Sequence, residues 1–166
     1  HESHRGWSSL CIHGLSSVHT EAHSTYGYKN RADAPYRWTD LADWCPTITK
    51  FFMSKFDYTE YDRIRIMKLE PGGYIIPHKD SLTLDENHIG PTNIALNNPK
   101  SCKMKMINHE GFVPFDPGVA LMLDVGNTHA VYNKSNEDRY HIIVHGVKSK
   151  EFETLVEASY EKNGSK

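Results

Sequence analysis

His78-Lys79-Asp80 places an imidazole and a carboxylate two residues apart. In an extended strand residues i and i+2 share a face, so both side chains can reach one metal ion. The chain holds eleven histidines, so this triplet alone carries little weight. Its surroundings add more. Tyr74–His78 (YIIPH) follows the turn Glu70-Pro71-Gly72-Gly73, which predicts that His78 closes a strand at a rim. Downstream, Asp124-Val-Gly-Asn-Thr-His129 sets a second imidazole just past an apolar strand and a tight turn. Two imidazoles and one carboxylate on neighbouring strand ends make a face that leaves coordination positions open, which suits Fe(II) oxygenase chemistry. Arg139 opens the last strand, and an inward-pointing Arg there can grip a carboxylate through two parallel hydrogen bonds.

Other residues compete for these roles. His141 and His145 share strand parity with Arg139, so all three could face one interior. His141 rivals His129 as third ligand; His129 is preferred because a strand end gives reach toward His78 and Asp80. His141 then lies beside the cosubstrate or substrate, or is a core histidine. His19-Thr-Glu21-Ala-His23 spaces two histidines at i, i+4, but its Glu is one place late for HExxH and Ser and Gly crowd the flanks, which predicts a mobile loop. Arg63 and Arg65 alternate with Ile64 and Ile66 and therefore share a face. That face is either solvated or the lumen, where an Arg would recognise an acidic substrate; both readings stay open. Tyr26, Tyr28 and Tyr36 lie in a Gly/Asn/Pro-rich stretch and form either a closing lid or surface tyrosines.

These residues need a scaffold of short strands, and the pattern supplies one. Asp62–Leu69 (DRIRIMKL) and Cys102–Ile107 (CKMKMI) alternate in the strand period, and Asn93–Leu96, Ala120–Val125, Thr128–Tyr132 and Arg139–Val147 read as further strands between Gly, Pro and Asn turns. Gly6–His13 reads as one more strand, and Gly14–Asp40 as loop or lid. Pro46–Phe56 is the best early helix, with Pro suited to its first turn and Ile48, Phe51, Phe52 and Phe56 roughly on one face. Glu151–Glu161 reads as an amphipathic helix with Phe152, Leu155, Val156 and Tyr160. Trp38, Trp44 and Phe51 are expected to pack helix on sheet. The fold class is mainly β, a sandwich or jelly roll with a few flanking helices. One domain over 1–166 is expected, with 1–45 as lid or N-terminal extension, 62–147 as jelly-roll core and 150–162 as C-terminal helix.

Composition narrows the function classes. The chain has 166 residues and a formal net charge of −2, which argues against a protein whose main affinity is for a nucleic-acid backbone. No apolar run approaches the ~18 residues of a membrane span. Three widely spaced cysteines without a CxxC pair fit a reducing cytoplasm better than a disulfide scaffold. The expected partner is a small-molecule or peptide substrate, with no nucleic acid and no membrane.

The segment Arg63 to His145 resembles the aspartyl/asparaginyl β-hydroxylase-like branch of the Fe(II)/2-oxoglutarate-dependent dioxygenases, which also includes free-proline hydroxylases. The matching pieces are the strand before Pro71-Gly72-Gly73, the Pro77–Asp80 element (PHKD), Gly118–Ser135 (GVALMLDVGNTHAVYNKS) and Arg139–Gly146 (RYHIIVHG). The resemblance implies a double-stranded β-helix (jelly roll, cupin-like) with His78, Asp80 and His129 as Fe(II) ligands. It implies that Arg139 binds the distal carboxylate of 2-oxoglutarate. It also implies hydroxylation of a C–H bond in an amino acid, free or within a peptide, using O2 and releasing succinate and CO2. The family often carries an Arg-x-His pair on the strand after the HxD; here Asn93 stands in that region as a weaker substitute, and Asn93 and His141 are candidate cosubstrate contacts. Retention of Asp80 favours hydroxylation over halogenation. The loop Ser81–Gly90 is long and would help choose the substrate. A non-catalytic jelly-roll binding module and a zinc-type metal hydrolase are the alternatives.

Overall fold

In the computed structural model, residues 3–80 and 90–163 are described. The strands are β1 (His4–Gly14), β2 (Arg37–Trp38), β3 (Tyr58–His78), β4 (Thr92–Ala95), β5 (Cys102–Met106), β6 (Ala120–Met122), β7 (His129–Asn133) and β8 (Arg139–Lys148). The helices are α1 (Leu41–Trp44), α2 (Pro46–Ser54) and α3 (Lys150–Asn163), with 3₁₀ turns at His23–Tyr26 and Arg31–Asp33. All strand pairings are antiparallel, in the order β2-β1-β3-β8-β4-β6, while β7 joins β3 to β5. The long β3 links the layers: its first half pairs with β1 and β8, and beyond the Pro71-Gly72-Gly73 bend it pairs with β7. This is a jelly roll. Of the long loop Ser81–Gly90, residues 81–89 lie outside the described residues.

The alternation read in β3 and β8 has a use on both faces. Ile64, Ile142 and Val144 point outward and bury with Ile12, Ala42 and Phe52 beneath α1 and α2. Leu69 points inward and joins Ala95, Cys102, Met104, Phe115 and Val131 in a second cluster. Helices therefore cover the outer face, and the inner face closes on itself. α2 docks through Phe52, whose ring meets Phe56 and Tyr61 edge-on. The Tyr61 hydroxyl reaches the Phe52 and Phe56 carbonyls at 2.8 and 3.0 Å, tying the helix end to β3.

Three packing expectations fail. Phe51 is 42% exposed and its ring meets those of Phe52 and Phe56, its near neighbours in the chain. Trp44 is 82% exposed: Ala42 is the buried residue of the one-turn α1, and a position two residues on lies ~200° around the helix. In α3 only Phe152 buries, against Phe56 and Tyr58, leaving Leu155 and Tyr160 in solvent. No helix among the described residues is long and apolar enough to cross a membrane. Cys11, Cys45 and Cys102 are free thiols.

Gly146 marks the tightest strand contact. A Cβ there would stand 2.1 Å from the Glu60 carbonyl oxygen. Gly146→Ala should therefore push β8 off β3 and cost on the order of 1–3 kcal/mol, read as a lower urea midpoint.

Candidate metal centre

His78 and His129 are register partners across β3 and β7. The pairing carries a one-residue bulge between Ile75 and His78. Ile75 lines the interior, and strict alternation from it would have aimed Lys79 inward and His78 and Asp80 outward; past the bulge His78 and Asp80 line the chamber and Lys79 does not. A backbone bond from Asp80 N to Val125 O (3.0 Å) fastens the strand end to the turn that delivers His129. Asp124 builds that turn, accepting from Gly126 N at 3.1 Å and Asn127 Nδ2 at 2.8 Å.

Each imidazole is oriented by a backbone carbonyl. His78 Nδ1 donates to Ile76 O and His129 Nδ1 to Asn127 O, both at 2.9 Å. A carbonyl only accepts, so Nδ1 holds the proton and each Nε2 keeps its lone pair for the site. His78 Nε2 faces Asp80 Oδ1 at 3.2 Å, and the two rings lie 4.3 Å apart, tilted by 54°. Lone pairs facing at that distance call for a cation between them, a proton or a metal ion. Ligands at right angles, each ~2.1 Å from one ion, would stand about 3 Å apart, so the spacing fits. The three ligand atoms lie within 4.8 Å of one another, the only such grouping among the described residues. His141 is outside it, as are His19, Glu21 and His23.

A cavity of about 390 Å³ runs inward from these side chains. Asn93, His141 and Arg139 line it, so the residues singled out in the sequence share one chamber. Arg139 is 3% exposed. Its guanidinium lies over the Phe115 ring, 4.6 Å from the centroid, and its Nη2 has no hydrogen-bond partner among the described residues. Burial lowers its affinity for its proton. Asn133 sets where β8 begins: its Nδ2 donates to Leu69 O (3.0 Å) and Glu137 O (2.7 Å), closing the 133–139 turn onto β3. Sequence reasoning missed Phe115, in a loop without periodicity, and the part played by Asn133, whose turn-forming run Asn-Lys-Ser was the available signal. Asn93 is buried, with only a long 3.5 Å contact from Nδ2 to Pro91 O.

A model of the family described as aspartyl/asparaginyl β-hydroxylase matches residues 7–148. The chain belongs to the aspartyl/asparaginyl β-hydroxylase family. No curated protein sequence gives a significant match. The family is one of hydroxylases, and in this member the chamber holds three candidate metal ligands at one point and a buried guanidinium at another. Tyr36 lines an outer recess that adjoins the chamber, whereas Tyr26 is exposed and hydrogen-bonds to His19 O.

The chamber also predicts a pH effect on this hydroxylase-family fold. Burial first, then the charges of Arg139 and Arg65, hold His141 well below the usual histidine pKa; burial likewise lowers His13. Both are neutral when folded near pH 7. As pH falls below about 6.5 the unfolded chain takes up protons the folded chain refuses. Stability should therefore drop between pH 7 and 5, by at most about 1.4 kcal/mol per pH unit per histidine. His141→Gln should lose part of that slope in urea titrations at pH 7.5 and 5.5.

Proposed function

We propose that this chain is an Fe(II)- and 2-oxoglutarate-dependent hydroxylase acting on a C–H bond of an amino acid, free or within a peptide. The observation that carries this reading is one chamber that joins two Nδ1-anchored imidazoles and a carboxylate to a buried guanidinium whose Nη2 has no partner among the described residues. His78, Asp80 and His129 would hold the iron by three of its positions and leave the rest for the cosubstrate and O2. When bound, Fe(II) with 2-oxoglutarate supplies the oxidation: one oxygen atom of O2 enters the product hydroxyl, the other enters succinate, and CO2 leaves.

The chain's own residues do the positioning. Arg139 would take the distal carboxylate of 2-oxoglutarate, its planar fork held by stacking on Phe115. His141, neutral beside it, has an Nδ1 without a partner among the described residues and can hydrogen-bond the cosubstrate, as can Asn93 Nδ2. Leu69, Met104 and Val131 keep the chamber wall dry. A zinc-type hydrolase would have no use for Arg139, and a binding module none for three convergent ligands.

The test is anaerobic. Fe(II) added to metal-free protein, followed by 2-oxoglutarate, should raise a visible charge-transfer band that needs both. Tight metal binding with no band would overturn the reading.

A further inference from the structure

Arg65 stands where the inner chamber meets the outer recess. It lines both, as do Asp80 and His145, whereas Arg139 and His141 line only the inner one. Its Nε is shut off from solvent and has no hydrogen-bond partner among the described residues. No carboxylate among those residues forms an ion pair with it. Its neighbours are spoken for: Arg63 donates to Thr20 O at 3.0 Å, and Arg31 pairs with Glu60 and Asp62. A guanidinium kept this way costs folding free energy, and such groups persist where a ligand completes them.

Its position separates it from the cosubstrate anchor. Arg139 is the register partner of Leu69, while Arg65 pairs with Ile143, four residues back along β3. Four residues of strand span about 13 Å. A five-carbon diacid held by Arg139 and chelated beside Asp80 is shorter than that. The recess outside Arg65 is also cationic: Lys29, Arg31, Arg63, Lys79 and Lys148 line it against Asp62 and Asp80. Such a mouth draws anions inward.

Resting on the hydroxylase reading above, we propose that Arg65 binds a carboxylate of the substrate at the neck of the chamber, so that the enzyme selects acidic substrates. A planar guanidinium fork matches a carboxylate edge, which a neutral amide cannot replace without leaving the charge unpaired.

Protein loaded with Fe(II) and 2-oxoglutarate would be titrated anaerobically by calorimetry with acids and their amides: aspartate against asparagine, glutamate against glutamine, proline against prolinamide. At least one acid should bind about tenfold or more tighter than its amide. Arg65→Gln should lose that preference and Arg65→Lys should keep part of it. The 2-oxoglutarate affinity of Arg65→Gln, read from the charge-transfer band, should stay unchanged. A tenfold loss there would move Arg65 into the cosubstrate site and overturn the proposal. So would equal binding of acids and amides, or no binding by any acid. A second measurement needs no ligand: Arg65→Met keeps the stem, removes the charge and should melt about 2–4 °C higher than wild type. A lower melting temperature would make Arg65 a brace of the fold and overturn the proposal. Absence of the band in wild type would defeat the hydroxylase reading alone, since the melting comparison still reports on Arg65.

Discussion

His129→Ala should stop Fe(II) loading and lower turnover by at least about a thousandfold, with the jelly roll still folded. A thousandfold is about 4 kcal/mol of transition-state stabilisation, the scale expected when the group carrying the chemistry is no longer held. The fold should survive because His129 contributes one hydrogen bond, to Asn127 O, while the register of β7 is set by its backbone pairing with β3 and β5. That single bond is worth about 1 kcal/mol. Asp80→Asn is the complementary change. It preserves shape and removes the charge facing His78 Nε2, so metal affinity should fall while circular dichroism stays that of wild type. Turnover within tenfold of wild type in His129→Ala would remove it from the ligand set.

The second large effect concerns Arg139. Arg139→Leu should raise the KM for 2-oxoglutarate by about a hundredfold, consistent with the 2–5 kcal/mol lost when one partner of a buried, hydrogen-bonded charge pair is truncated. Iron loading without cosubstrate should be unaffected, because Arg139 lies outside the ligand group. Phe115→Ala should produce a smaller rise by letting the guanidinium swing off its ring. An unchanged KM in Arg139→Leu would assign the distal carboxylate to another group. Stability should hold or improve, since the variant replaces an incompletely paired guanidinium with apolar bulk beside Phe115.

The strand periods of DRIRIMKL and RYHIIVHG were readable because alternation is strict where a sheet separates two environments, and both segments are strands in the structure. The burial direction was less readable. Apolar clusters lie on both sides of this sheet, so parity groups Arg63 with Arg65 without naming their side. The candidate ligands and their meeting at a rim could be read from residue type and position, but the bulge that brings them onto one face leaves no periodic trace. Phe115 escaped for a related reason: a loop residue acquires its neighbours from tertiary packing. Trp44 and Leu155 show the converse, apolar residues at plausible spacing on helix faces that the sheet never meets.

The bulge between Ile75 and His78 means that the ligand pair is written out of phase with the barrel wall. Three residues of β3 from Ile75 to His78 are matched by two of β7 from Val131 to His129. If the same residues paired without the bulge, Ile75 and the strands around it could keep their places while Lys79 replaced the imidazole and carboxylate at the interior. Deleting Ile76 would instead leave an even two-residue step that still aims His78 inward. One sequence can thus make a metal-holding vessel or an inert one according to whether a single residue is looped out. Intact histidines and an intact fold are therefore insufficient evidence of a working centre in chains of this shape; the register of the first histidine against its partner strand must be known as well.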